Sequence, residues 1–92
     1  MDQREQERLT ILSILRGGRM RYAEVLAEYG RRFELGAVQA GEPFAALVHD
    51  LIVEKLVGYA VDQNAGGQES PITTLWLRPQ GQARLDQSGP LP

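Results

Sequence analysis

The chain has 92 residues, 42% hydrophobic and 24% charged, with a formal net charge of −2 and no cysteine. This length holds one small domain, the composition excludes a disordered chain, and the missing cysteines exclude disulfides, thiolate metal sites and cysteine nucleophiles. A typical nucleic-acid module is basic, so the acidic balance counts mildly against DNA and leaves the decision to how charge is distributed.

From about Asp2 to Arg16 there is no Gly or Pro, and the stretch stops at Gly17-Gly18, which predicts a first helix with a glycine stop. Leu9, Ile11, Leu12, Ile14 and Leu15 spread over an arc of about 220° at helical spacing. The stripe a surface helix normally buries is about 100° wide. Either the helix is central and packed on two sides by its own domain, or part of the arc faces a second copy, and a homodimer through helix one is expected from the latter. In "RMRYAEVLAEYG", Tyr22, Val25, Leu26 and Tyr29 recur at helical spacing and end at Gly30, a second helix. The following "RRFELGAVQAGEP" reads as a long connection in which Phe33, Leu35 and Val38 pin the chain to the core.

Pro43 suits the first turn of a third helix with Gly41 or Glu42 just outside, running to about Glu54 with Phe44, Leu47, Val48, Leu51 and Ile52 toward the core. Its other side presents Ala46, His49, Asp50, Val53 and Glu54, with no Lys or Arg. "LVGYAV" and "ITTLWL" are short β-prone runs separated by "DQNAGGQESP", a hairpin with its tip near Ala65 to Gln68. Pro79 opens a last helix through Leu85, and residues 87–92 form a flexible tail after a domain of residues 1–86. Leu12, Leu26, Leu47, Leu51 and Trp76 are expected to be largely buried.

This order of three helices, strand, wing, strand and short helix is an α+β arrangement, and over roughly residues 5 to 86 it resembles the winged helix-turn-helix family, particularly PadR-like and MarR-like transcriptional regulators. "LIVEKLVGYAV" resembles the end of a recognition helix passing into the first wing strand, and "LWLRPQGQARL" the stretch that leaves the wing for the last helix. The resemblance implies a DNA-binding regulator, while the missing cysteines and the lack of a membrane-length apolar run or a signal peptide read as a cytoplasmic location. Two departures stand out. Lys55 occupies a turn position where the family commonly has Gly, at a cost of about 1 kcal/mol if the turn is left-handed. DNA-binding members usually carry polar or basic side chains on the outer face of helix three and bases in the wing, whereas here Gly58 to Thr74 contains Asp62 and Glu69 and no base.

Positive charge gathers as Arg16, Arg19 and Arg21 around the junction of helices one and two, and as Arg31 and Arg32 after helix two. These are the candidate phosphate contacts, with Ala46, His49, Asp50 and Val53 as the face toward the groove. The alternative is that the arginines complement helix C-termini and solvate the surface. His49 is the only histidine, so a multi-histidine metal site is excluded, and it forms no triad with the neighbouring Asp50, which points elsewhere on a helix. Glu24 and Glu28 lie one turn apart on a solvated face. No catalytic constellation, metal site or cofactor is expected. No apolar run approaches the roughly 18 residues of a membrane span, and Met1 to Glu7 is too polar for a signal peptide. Two functions remain: a DNA-binding regulator on double-stranded DNA, or a winged helix turned to protein binding or assembly.

Overall fold

A computed structural model describes residues 3–61 and 72–88 of the chain. They form α1 (Gln3–Leu15), β1 (Met20–Arg21), α2 (Tyr22–Arg32), α3 (Ala37–Val53), β2 (Val57–Val61), β3 (Ile72–Leu77) and α4 (Pro79–Ser88). The class is α+β, four helices against one antiparallel sheet of strand order β1-β3-β2. The hairpin was expected to stand alone, but Met20 and Arg21 pair with Leu75 and Thr74 and make a third strand. Two residues are too few to show a β pattern in sequence. The expected hairpin tip, Ala65 to Gln68, lies outside the described residues.

α1 ends as its glycines predict: Gly18, at φ 127°, donates its N–H to Leu15 O at 3.0 Å. Its whole apolar arc is consumed inside the chain, since Leu9, Ile11, Leu12 and Leu15 are at most 2% exposed and Ile14 8%. The helix is central, covered by α2, α3, β3 and α4. The breadth of the arc therefore carries no argument for a homodimer through helix one.

α2 and α3 each close on a left-handed residue that is not glycine. After α2, Glu34 adopts φ 57°, Leu35 N–H reaches Gly30 O at 2.7 Å and Glu34 N–H reaches Arg31 O at 3.3 Å. After α3, Lys55 adopts φ 64°, Leu56 N–H reaches Leu51 O at 2.9 Å and Lys55 N–H reaches Ile52 O at 3.0 Å. Both are Schellman closures, in which two otherwise orphaned carbonyls are satisfied at the cost of placing a Cβ in the left-handed region. Lys55 accepts that cost instead of lengthening the helix.

α3 starts at Ala37, not at Pro43, and the proline sits inside it. The segment expected to be a connection is helical because its first turn is held from both ends. Gln39 Oε1 accepts the Gly36 N–H at 3.2 Å, Ala40 N–H reaches Gly36 O at 2.9 Å, and Ala40 is wholly buried. A cap and a buried anchor thus outweigh the usual preference of proline for a first turn. Phe33 and Leu35 do pack on the core, but Val38 is 95% exposed and pins nothing.

The core joins all four helices and the sheet. Tyr29 and Phe44 are fully buried with ring centroids 5.4 Å apart, Tyr22 lies edge-on to Phe44 at 5.1 Å, and Phe33 lies against Tyr29 at 5.1 Å. Leu12, Leu47 and Leu51 are buried as expected, whereas Leu26 and Trp76 are only partly so. α4 runs on through Ser88, so Gln87 and Ser88 are helical and not part of the expected flexible tail. It docks so closely that a Cβ on Gly81 would stand 2.2 Å from Leu56 O. Among the described residues no helix is long and apolar enough to cross a membrane.

Candidate nucleic-acid interface

α3 presents Val38, Glu42, Ala45, Ala46, His49 and Val53 along its outward side, because these positions fall within about 50° of their mean direction on a 100° wheel, opposite the buried Ala40, Phe44, Leu47 and Leu51. Val53 is 64% exposed. Ala46 stands at the edge of this strip and also lines a groove with Gln3, Arg4, Glu7 and Pro43.

Asp50 lies off the strip. Arg4 and Arg8, one turn apart on α1, pair with Asp50 and Glu54, one turn apart on α3, and form a two-rung ladder between the helices. The Arg4 guanidinium, hydrogen-bonded to the carboxylate, holds the Asp50 pKa below its ordinary value. Of the four residues expected to face a groove, Ala46, His49 and Val53 are exposed and Asp50 is turned to α1. The outward side carries one acid, Glu42, and no base.

The five candidate phosphate contacts separate into two groups. Glu28 binds both Arg31 and Arg32, the latter at 3.2 Å, and these hydrogen bonds lower its pKa. Arg16 lies 3.7 Å from Asp86 of α4. These three are exposed arginines at helix ends, each with a carboxylate of its own chain within ion-pair distance. Arg19 and Arg21 differ. Among the described residues no carboxylate lies within ion-pair distance of either. Arg21 is the N-cap of α2 and is exposed. The Arg19 guanidinium carbon lies 4.4 Å from the centroid of the Trp76 ring.

Trp76 is the feature the sequence reading placed wrongly. Leu75 faces the core with no exposure, so the alternation of β3 turns Thr74 and Trp76 to the outer face of the sheet. Gly58 lies directly across from Trp76, and a Cβ there would fall 2.2 Å from the indole Nε1. The ring therefore lies over the Gly58 backbone, with Arg19 above it. Arg78, just past β3, belongs to the same neighbourhood, lining a groove with Trp76, Gly58 and Tyr59. The alternation in "ITTLWLR" marks one face for Thr74, Trp76 and Arg78; the missing piece was the pairing of Gly58 with Trp76, which depends on the register.

Among the described residues there is no group of three or more His, Asp or Glu placed to hold a metal. No protein-family model matches the chain, and no curated protein matches it. Among solved structures it is similar to the circadian clock associated protein Pex from Anabaena, with a TM-score of 0.62 and 13% sequence identity, over 91% of this chain and 71% of that one. At that identity the similarity is one of fold.

Proposed function

We propose that the chain is a winged helix acting as a small regulator that docks on duplex DNA by its phosphate backbone. The observation that carries this reading is the segregation of arginines. Arg4, Arg8, Arg16, Arg31, Arg32 and Arg84 each have a carboxylate of the same chain within ion-pair distance, while Arg19 and Arg21, at the entrance to α2, have none among the described residues. In a helix-turn-helix the helix before the outward one crosses the DNA backbone, so Arg21 at its N-cap and Arg19 beside it are the residues assigned to phosphates. The fold similarity to a circadian clock associated protein supports a regulatory role. α3 contributes shape, because Ala46, His49 and Val53 offer no bidentate fork for guanine.

Charge reversal tests it. Arg19→Glu with Arg21→Glu is expected to abolish binding to mixed duplex at low salt while leaving the fold intact, since both side chains are exposed. Undiminished binding by the double variant overturns the assignment.

One observation favours a second reading, a protein contact through α3. Val38 and Val53 are exposed near opposite ends of a strip without a base, a surface suited to desolvation. Ala46→Arg separates the two: it weakens a protein contact and strengthens DNA binding.

A further inference from the structure

A cleft of about 360 Å³ opens where the end of α1 meets the start of α4 and the base of the hairpin. Arg16, Arg19 and Arg78 line it together with Trp76, and no carboxylate is among its lining residues. Three arginines lining one concavity repel one another when their guanidinium groups converge, and an anion between them removes that repulsion. Arg19 is fixed at this place. Arg19 is held against the Trp76 ring, and the ring cannot sink away because the Gly58 backbone lies beneath it. Contact with an aromatic face uses the π surface of a guanidinium and leaves its in-plane N–H donors free for a fork onto two oxygens. Arg16 has only a long contact to Asp86, at 3.7 Å with both side chains more than half exposed, against about 2.8 Å for a strong charge-assisted bond. Pro79, the first residue of α4, also lines the cleft, so the partial positive charge of that helix end has the same sign.

We propose that this cleft binds a compact, multiply charged oxyanion of the phosphate type, held by Arg19, Arg78 and Arg16. Its volume falls in the range of small-molecule sites, about 300 to 1,000 Å³. Two sources share this chemistry: a free phosphorylated small molecule, which would make the cleft an effector site at the base of the wing, and a phosphate of nucleic acid. The inference stands apart from the duplex reading, with Arg19 the one residue they share.

Trp76 is the only tryptophan in the chain, so tryptophan emission reports on the surroundings of this one ring. Inorganic pyrophosphate, titrated into the full chain at constant ionic strength, is expected to give a saturable change in emission, matched by titration calorimetry. Arg78→Gln and Arg19→Gln should each weaken binding by about tenfold or more, the usual consequence of losing a hydrogen bond to a charged group. Both side chains are exposed, so neither change threatens the core. Calorimetry carries the comparison for Arg19→Gln, since removing that side chain alters the emission by itself. A change that never saturates, or affinity in both variants equal to that of the unaltered chain, overturns the proposal. Duplex titration with and without saturating pyrophosphate then separates the sources: competition assigns the cleft to nucleic-acid phosphate, and its absence assigns it to a free anion. Loss of duplex binding alone would sink the duplex reading and leave the pyrophosphate result standing.

Discussion

Glu34 and Lys55 sit at φ 57° and 64°, a conformation that disfavours any residue with a Cβ. Neither makes an ion pair with a described residue, so the conformation is accepted for the helix closure it permits. Replacing Lys55 by Gly is expected to raise stability by about 1 kcal/mol, and Glu34→Gly to do the same, read as a shift in denaturant midpoint at unchanged slope. The requirement at position 55 was legible in sequence as a turn following a helix; that at position 34 was hidden by Gly30, which reads as the end of the second helix but lies inside α2. Gly58 is constrained for the opposite reason, by space instead of dihedral angle. Gly58→Ala drives a methyl into the indole of Trp76, and a loss of about 1 to 3 kcal/mol with a red shift in tryptophan emission is expected.

At the scale of elements, α3 is the pivot, since Phe44, Leu47, Val48 and Leu51 carry the centre of the core. Leu51, with no exposure, should cost about 2 to 5 kcal/mol when truncated to Ala, measured by chemical denaturation. The ladder of Arg4 and Arg8 on Asp50 and Glu54 adds a pH dependence of definite sign. Because Arg4 lowers the Asp50 pKa in the fold, the associated stability is present above the ordinary value of 3.8 and is lost as pH falls through the folded-state value. The melting temperature is therefore expected to drop on acidification below about pH 4, and less steeply in Arg4→Gln. Helical spacing and glycine stops made α1, the body of α2 and the C-terminal half of α3 readable from sequence. The first turns of α3 were not, because they depend on the burial of Ala40 and the Gln39 cap, which a proline six residues into the helix conceals. The Arg–carboxylate ladder joins residues 46 apart, and no local pattern announces such a pair.

At the scale of the molecule, the arc of α1 shows how a small domain spends its apolar surface. A width that suggested a second copy is explained by a helix at the centre of its own chain, packed on several sides. α1 is consequently not expected to form a dimer seam, and sedimentation at high micromolar concentration should show no association that depends on Leu9, Ile11 or Ile14. Charge is likewise organised among the described residues: most arginines are matched there with carboxylates between or within helices, and Arg19, Arg21 and Arg78, without an ion pair among the described residues, gather around the sheet and the entrance to α2. The candidate site was legible in part, since Arg19 and Arg21 stand out as basic residues between helices and Glu28 lies at helical spacing from Arg31 and Arg32, whereas the contact of Arg16 with Asp86 appears only when α1 and α4 are placed side by side.

Duplex docking by a few phosphate contacts is tested most directly by titrating the full chain with mixed-sequence duplex DNA at about 50 and 200 mM salt. With two to four phosphates engaged, affinity is expected to fall by roughly ten- to hundredfold between the two conditions, following the release of about 0.9 counterion per contact. Absence of binding at the lower salt, or binding that does not respond to salt, would contradict the account.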